Sequence, residues 1–130
     1  MELWLGGRAQ GKLSLAMQRY PQARVVDENE LWEEFSRSAG EKLIWNHLHL
    51  FVKEWLACGK EPEEIWQMVQ TVINDHPDLI ILCDEIGNGI VPMEKEERRY
   101  REETGRLLCK IARQAESVER ICCGIPVKIK

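Results

Sequence analysis

The stretch Leu3-Trp4-Leu5-Gly6-Gly7-Arg8-Ala9-Gln10-Gly11-Lys12-Leu13-Ser14 restricts the fold more than any other part of the chain. Leu3 to Leu5 is a short apolar run that reads as a buried strand, and it stops at two glycines. From Leu13 the period changes. Leu13, Ala16, Met17 and Tyr20 fall at i, i+3, i+4 and i+7, one stripe of a helix. Strand, glycine-rich loop, lysine and helix is the order of a phosphate-binding loop. Gly6 and Gly11 can adopt backbone angles that other residues avoid, so successive N–H groups can turn inward as a nest for phosphate oxygens. The helix N-terminus adds partial positive charge, and Lys12 adds a full one. The spacing follows G-x-x-x-x-G-K through Lys12 and then breaks, because Leu13 stands where a Ser or Thr would hold magnesium. Ser14 comes one position late and points about 100° away around the helix. The bland alternative is a glycine turn between a strand and a helix with no ligand.

At 130 residues the chain is expected to form one domain, residues 1–130, with a core of useful size. A formal net charge of −4 argues against a nucleic-acid partner. No apolar run approaches the ~20 residues of a membrane span. Met1-Glu2-Leu3 reads as the start of a strand with no basic leader region, so the expected location is the cytoplasm. The five cysteines lack C-x-x-C spacing and read as reduced packing residues rather than metal ligands.

Beyond the first helix, Ala23 to Val26 is a brief strand candidate. Asn29 looks like an N-cap for a short helix with Leu31, Trp32 and Phe35 on one face and Gly40 as its stop. Lys42 to Trp45 reads as a core strand. Leu48, Phe51, Val52, Trp55 and Leu56 repeat at helical spacing up to Gly59. Pro62, set among Glu61, Glu63 and Glu64, starts another helix whose inward stripe is Ile65, Val69, Val72, Ile73 and His76. Leu79 to Cys83 is the strongest strand. It shows no alternation, so both of its faces are expected to be covered, as in a parallel sheet between helices. It leads into Asp84-Glu85 and a break at Gly87 and Gly89. A long charged helix follows from about Glu94 to Ser117, with Tyr100, Leu107, Leu108, Ile111, Ala112 and Ala115 inward. Its i,i+4 pairs Glu94–Arg98, Glu97–Arg101 and Glu102–Arg106 are each worth a few tenths of a kcal/mol. Val118–Cys122 and Pro126–Ile129 finish as short strands. Strands alternating with helices make a three-layer α/β fold, with ligand sites at the carboxyl ends of the strands. Both Gly6–Lys12 and Asp84–Pro92 lie at such ends.

The run Asp84-Glu85-Ile86-Gly87-Asn88-Gly89-Ile90-Val91-Pro92 resembles the N-E-V-G-x-G-I-V-P motif of the bifunctional adenosylcobinamide kinase / adenosylcobinamide-phosphate guanylyltransferase family. The likeness continues in register. Arg98-Arg99-Tyr100-Arg101-Glu102 is similar to R-x-F-R-D, Gly105-Arg106 follows at the family's distance, and Gly124 to Lys130 is similar to its G-[IL]-P-[LV]-[KR]-[LI]-K segment. Gly6 to Ser14 is similar to G-G-A-R-S-G-K-S. The resemblance implies a RecA-like P-loop NTPase fold, three-layered around a central, mostly parallel sheet. It implies phosphorylation of the aminopropanol hydroxyl of adenosylcobinamide by GTP or ATP, then guanylyl transfer through a histidine, in a homo-oligomer. On this likeness Gly6, Gly7, Arg8, Ala9, Gln10, Gly11, Lys12, Leu13 and Ser14 bind nucleotide. Gly87, Gly89, Pro92, Arg98 and Arg101 contact substrate, and Lys12, Asp84 and Glu85 are the catalytic candidates.

The chain departs from the pattern where the chemistry sits. Leu13 replaces the phosphate-loop hydroxyl, and Asn46 stands where the family directs magnesium with an acid. The block that carries the guanylylated histidine is missing near Val26. The family's Asn-Gln pair is Leu108-Cys109. His47 and His49 fall at a strand-to-helix junction with no acid placed by motif to orient either one, and they read as polar residues at a pocket mouth. Asp84, where the family has Asn, is the candidate for a relocated metal-holding acid together with Glu85. The other reading of Asp84 is a solvated turn acid. Three functions stay open: a kinase with a rearranged metal site, a silent nucleotide-binding sensor or subunit, and a fold kept only for oligomerisation.

Overall fold

The computed structural model describes residues 1–30, 32–33, 40–87, 89–90 and 93–130. Its elements in chain order are β1 (Glu2–Gly6), α1 (Lys12–Arg19), β2 (Arg24–Val26), β3 (Leu43–Trp45), α2 (Leu48–Ala57), α3 (Pro62–Asp75), β4 (Ile80–Asp84), α4 (Lys95–Gln114), β5 (Ser117–Cys122) and β6 (Ile125–Lys128). The helix expected after Asn29 falls largely outside the described residues, as do Asn88, Val91 and Pro92 of the glycine-containing run.

The strands form one six-stranded sheet in the order β2-β3-β4-β1-β5-β6. All neighbours are parallel except β5 and β6, which form an antiparallel hairpin. Parallel pairing needs long crossovers, and here helices supply them. This is the RecA-like α/β arrangement. β4 is buried from Ile80 to Cys83, as its unbroken apolar run requires of a strand covered on both faces. Period-two alternation sorts the side chains between two cores. Leu3, Leu43, Trp45, Ile81, Cys83 and Val118 pack with α2, α3 and α4. Trp4, Ile44, Ile80, Leu82 and Ile121 pack on the α1 side with Ala16. The larger core carries an aromatic cluster in which Trp45 meets Phe51 edge-on at 5.5 Å and Trp55 at 6.4 Å.

Two expectations are corrected. In α1 Lys12 and Ala16 are buried and Leu13 and Tyr20 pack partly buried against the smaller core as expected, but Met17 is 51% exposed. The Lys12 ammonium is anchored to carbonyls of the preceding loop, which rotates the helix so that the 12/16 stripe faces in and Met17 faces water. Of the cysteines, only Cys83 is a packing residue. Burial pushes its thiol up to about 12. Cys58, Cys109, Cys122 and Cys123 are exposed, because they occupy a helix end, the outer face of α4, the last position of β5 and the β5–β6 turn. On α4 the Glu102–Arg106 pair forms at 2.6 Å, whereas the Arg101 guanidinium donates to the Ile90 carbonyl at 2.6 Å. Among the described residues no helix is long and apolar enough to cross a membrane.

β1 approaches β5 so closely at its end that a Cβ on Gly6 would lie 2.4 Å from the Ile121 carbonyl oxygen. Backbone cannot retreat as a flexible side chain would. Gly6→Ala is therefore predicted to cost about 1–3 kcal/mol, read as a lower urea midpoint with an unchanged m-value. A midpoint equal to wild type would refute the tight approach.

Candidate functional site

Parallel strands leave their carboxyl ends on one edge, and the residues just past those ends meet there. Register makes this concrete: Gly6 is opposite Asp84, and Val26 is opposite Trp45. Asp27, Asn46 and Asp84 therefore rise side by side beyond the sheet. They line a cleft of about 700 Å³ with Arg8 to Ser14, Glu28, His47, His49 and Leu50.

The loop from Gly7 to Gly11 is shaped by Ala9 at φ 57° and Gly11 at φ 87°, both in the left-handed region. Gly11 caps α1, and the helix start has no side-chain cap, so its first N–H groups are left for another acceptor. The loop is braced from outside by the β5–β6 turn. Gly124 N–H donates to the Gln10 carbonyl at 2.8 Å, and Cys123 N–H donates to Gln10 Oε1 at 2.7 Å. Lys12 is buried. Its ammonium donates to the carbonyls of Gly7 (2.7 Å) and Gly6 (3.2 Å) and pairs with Asp84 Oδ1 at 2.7 Å.

Behind this pair stands His49, nearly buried near the start of α2, whose carbonyl accepts from the Tyr100 hydroxyl at 2.9 Å. The Asp84 backbone N–H donates to His49 Nδ1 at 3.2 Å. Nδ1 is thus bare, and the neutral ring carries its proton on Nε2, 3.4 Å from Asp84 Oδ2. Burial lowers the His49 pKa below its usual 6.5, against the opposing pull of Asp84.

A second group sits across the cleft. His47 takes a left-handed backbone (φ 55°) as the residue that caps α2. Its Nδ1 is 3.0 Å from both Asp27 Oδ1 and Glu28 Oε2. The Asn46 amide donates to Asp27 Oδ2 at 3.2 Å. No motif places an acid beside either histidine, but the fold does: Asp27 and Glu28 face His47, and Asp84 faces His49. The β2/β3 register brings Asp27 and Glu28 there, and the end of β4 brings Asp84.

The structure brings Arg8 to Ser14 and Asp84 together and leaves the other candidates apart. Glu85 forms a two-pronged pair with Arg120, at 3.0 Å for each contact. It lines a separate cavity of about 460 Å³ with Gly87, Arg101, Gly105 and Arg120. Arg98 donates to the Met93 carbonyl at 2.7 Å, and Ile90 and Met93 are almost fully exposed. Leu13 lines the cleft but its side chain brings no oxygen, and Asn46, whose amide N–H donates to Asp27, offers a neutral oxygen rather than a carboxylate, so the magnesium seat implied by resemblance is not reproduced at these two positions.

The His49 environment sets a sign for pH dependence. A neutral buried histidine favours folding above pH 6.5, and that stability is lost as pH falls from 6.5 through the lowered folded-state value. Acidification from pH 7 to 5.5 is predicted to lower the urea midpoint, and His49→Asn, whose amide oxygen replaces bare Nδ1, should flatten the slope. An unchanged slope in the variant would assign the acid sensitivity elsewhere.

Residues 16–129 match the family described as cobinamide kinase / cobinamide phosphate guanyltransferase. The match begins inside α1, so the loop itself lies just outside it. A curated relative, the bifunctional adenosylcobalamin biosynthesis protein CobU of Salmonella typhimurium, is 26% identical over 98 residues, covering 75% of this chain and 45% of the relative. The chain thus spans less than half the length of that relative.

Proposed function

The chain belongs to the cobinamide kinase / cobinamide phosphate guanyltransferase family, and from that premise we propose that it binds GTP or ATP in the cleft under Lys12. We propose further that it serves phosphoryl transfer to a cobinamide hydroxyl. The supporting observation is the buried Lys12 ammonium in a left-handed glycine loop at the end of β1, facing the cleft. Phosphate oxygens enter the nest of loop N–H groups and draw Lys12 away from Asp84, exchanging one anionic partner for another. In the transfer, the acceptor hydroxyl oxygen bonds to the γ-phosphorus as the bond to the bridging oxygen breaks. Lys12 meets the charge developing on the departing nucleoside diphosphate. Asp84, released on one oxygen, takes the hydroxyl proton. Glu85, Gly87, Gly89, Arg98 and Arg101 belong to the acceptor side, where the second cavity has two arginines and an acid. Because side chains 13 and 46 do not form a magnesium seat, no step depends on one there.

The guanylyl step is left out of this reading, on the expectation from the resemblance that the segment bearing the family's histidine is missing near Val26. Self-association, which the resemblance implies, is supported by the edge strand β6, whose Ile125 and Val127 are exposed on one side of it. A silent nucleotide-binding role is the second reading, favoured by the loss of both magnesium-directing groups.

Lys12→Ala is predicted to weaken ATP and GTP binding by roughly 1.5–3 kcal/mol, the scale of a lost charged hydrogen bond, or about ten- to a hundredfold. Asp84→Asn should bind nucleotide equally or more tightly, because Lys12 is freed, while losing turnover. Calorimetry and a cobinamide phosphorylation assay measure both. Equal binding by wild type and Lys12→Ala reduces the loop to a turn, and full turnover in Asp84→Asn removes that acid from the chemistry. Incubation with labelled GTP and intact-mass spectrometry should show no GMP adduct; an adduct on any histidine contradicts the missing step.

A further inference from the structure

Three acceptor atoms converge at the outer wall of the cleft: Asp27 Oδ1, Glu28 Oε2 and His47 Nδ1, all within 4.8 Å of one another. The two carboxylate oxygens each lie 3.0 Å from the same imidazole nitrogen. Two carboxylate oxygens against one imidazole nitrogen favour something positive between them, the Nδ1 proton or a cation, and the Asn46 amide nitrogen stands 3.4 Å from the same Nδ1. The surroundings favour a cation. The set mixes imidazole nitrogen with carboxylate oxygen, a donor combination that suits first-row transition metals. Ligand bonds of about 2.1 Å at right angles put neighbouring donor atoms about 3.0 Å apart, the separation of His47 Nδ1 from each carboxylate oxygen, with the two oxygens themselves within 4.8 Å. Asn46, outside the set, holds the far oxygen of Asp27 at 3.2 Å and so aims the near one, as outer-shell partners do for metal-binding carboxylates.

A second pointer, which rests on the nucleotide reading above, comes from the opposite wall. The same cleft presents the phosphate nest and Lys12, features that fit a polyanion, yet Asp27, Glu28 and Asp84 also line it. With Lys12 already paired to Asp84, two further carboxylates facing a polyanion repel it unless a cation intervenes. The two positions that the resemblance assigns to magnesium offer a leucine side chain and a neutral amide in place of a hydroxyl and a carboxylate.

We propose that Asp27, Glu28 and His47 form a divalent-metal site, selective for Mn²⁺ or Co²⁺ over Mg²⁺, that replaces the missing magnesium seat from the adjoining strand ends. Water fills the remaining coordination positions in the open cleft. The second half of the proposal, that such a position turns toward phosphate oxygens, rests on the nucleotide reading above; the metal site itself does not.

The test uses the full chain without nucleotide. Mn²⁺ is titrated against loss of the free-ion paramagnetic resonance signal, and Co²⁺ against its visible absorption. Wild type should show one saturable site, with Mg²⁺ competing only in large excess. His47→Ala and the isosteric Asp27→Asn should weaken binding at least tenfold, and Asn46→Ala by about tenfold. Circular dichroism verifies the fold of each variant, and His47, Asp27 and Glu28 are exposed enough to be replaced without emptying the core. No saturable binding by folded wild type, or unchanged binding in both His47→Ala and Asp27→Asn, overturns the site. Parallel ATP and GTP titrations without metal separate the two readings. Metal binding without nucleotide binding leaves this site standing and removes the phosphate loop, and the reverse result removes the metal site alone.

Discussion

The contact between Lys12 and Asp84 ties the functional edge of this protein together. A buried ammonium is tolerated only where paired and hydrogen-bonded, since leaving it alone costs several kcal/mol. Here it has the carboxylate and two carbonyls of its own loop. Through Asp84 the same group reaches His49, and through the His49 carbonyl it reaches Tyr100 on α4. The end of β1, the loop, the end of β4 and the starts of two helices thus form one polar unit at the top of an apolar sheet. The rotation of α1, with Ala16 inward and Met17 outward, follows from that anchoring.

Much of the architecture was legible. β4 announced itself by an unbroken apolar run that only a doubly covered strand can carry, and the Pro62 helix was marked by proline and acids in its first turn. Gly6 to Lys12 read correctly as a strand-to-helix loop. What failed depended on information that is not local. On α1 the stripe of Leu13, Ala16 and Tyr20 packs inward and only Met17 was misplaced, because an eight-residue amphipathic pattern is weaker than one buried ion pair. The exposed cysteines were misread because composition says where thiols are tolerated, not where they lie. The grouping of Asp27, Glu28 and His47 was missed because it depends on β2 and β3 being adjacent and in register. The available signal was positional: each is among the first residues past a strand, where an α/β sheet gathers its polar groups.

Sequence likeness and geometry cover different parts of the chain. The family match starts at residue 16 and extends through the β4 end, α4 and the hairpin. The loop that faces the cleft lies before it and is identified by its backbone angles and its lysine. The two meet at Asp84, which lies inside the matched segment and pairs with the lysine outside it. Such a join is what a shared site demands of residues 72 positions apart, and neither source alone would place it.

The brace between Gln10 and the β5–β6 turn bears on how the molecule comes into being. It spans 113 positions of sequence, and β1 itself lies between β4 and β5, both remote along the chain. Contacts of such separation close late in folding, after the entropy of the intervening loop has been overcome. Until the hairpin docks, the two hydrogen bonds that hold Gln10, between the left-handed Ala9 and Gly11, are not made. The backbone shape of the loop, on which the proposed nucleotide reading rests, is therefore a property of the finished sheet: a chain with β1, β4 and the helices assembled but the hairpin undocked would lack the brace on Gln10.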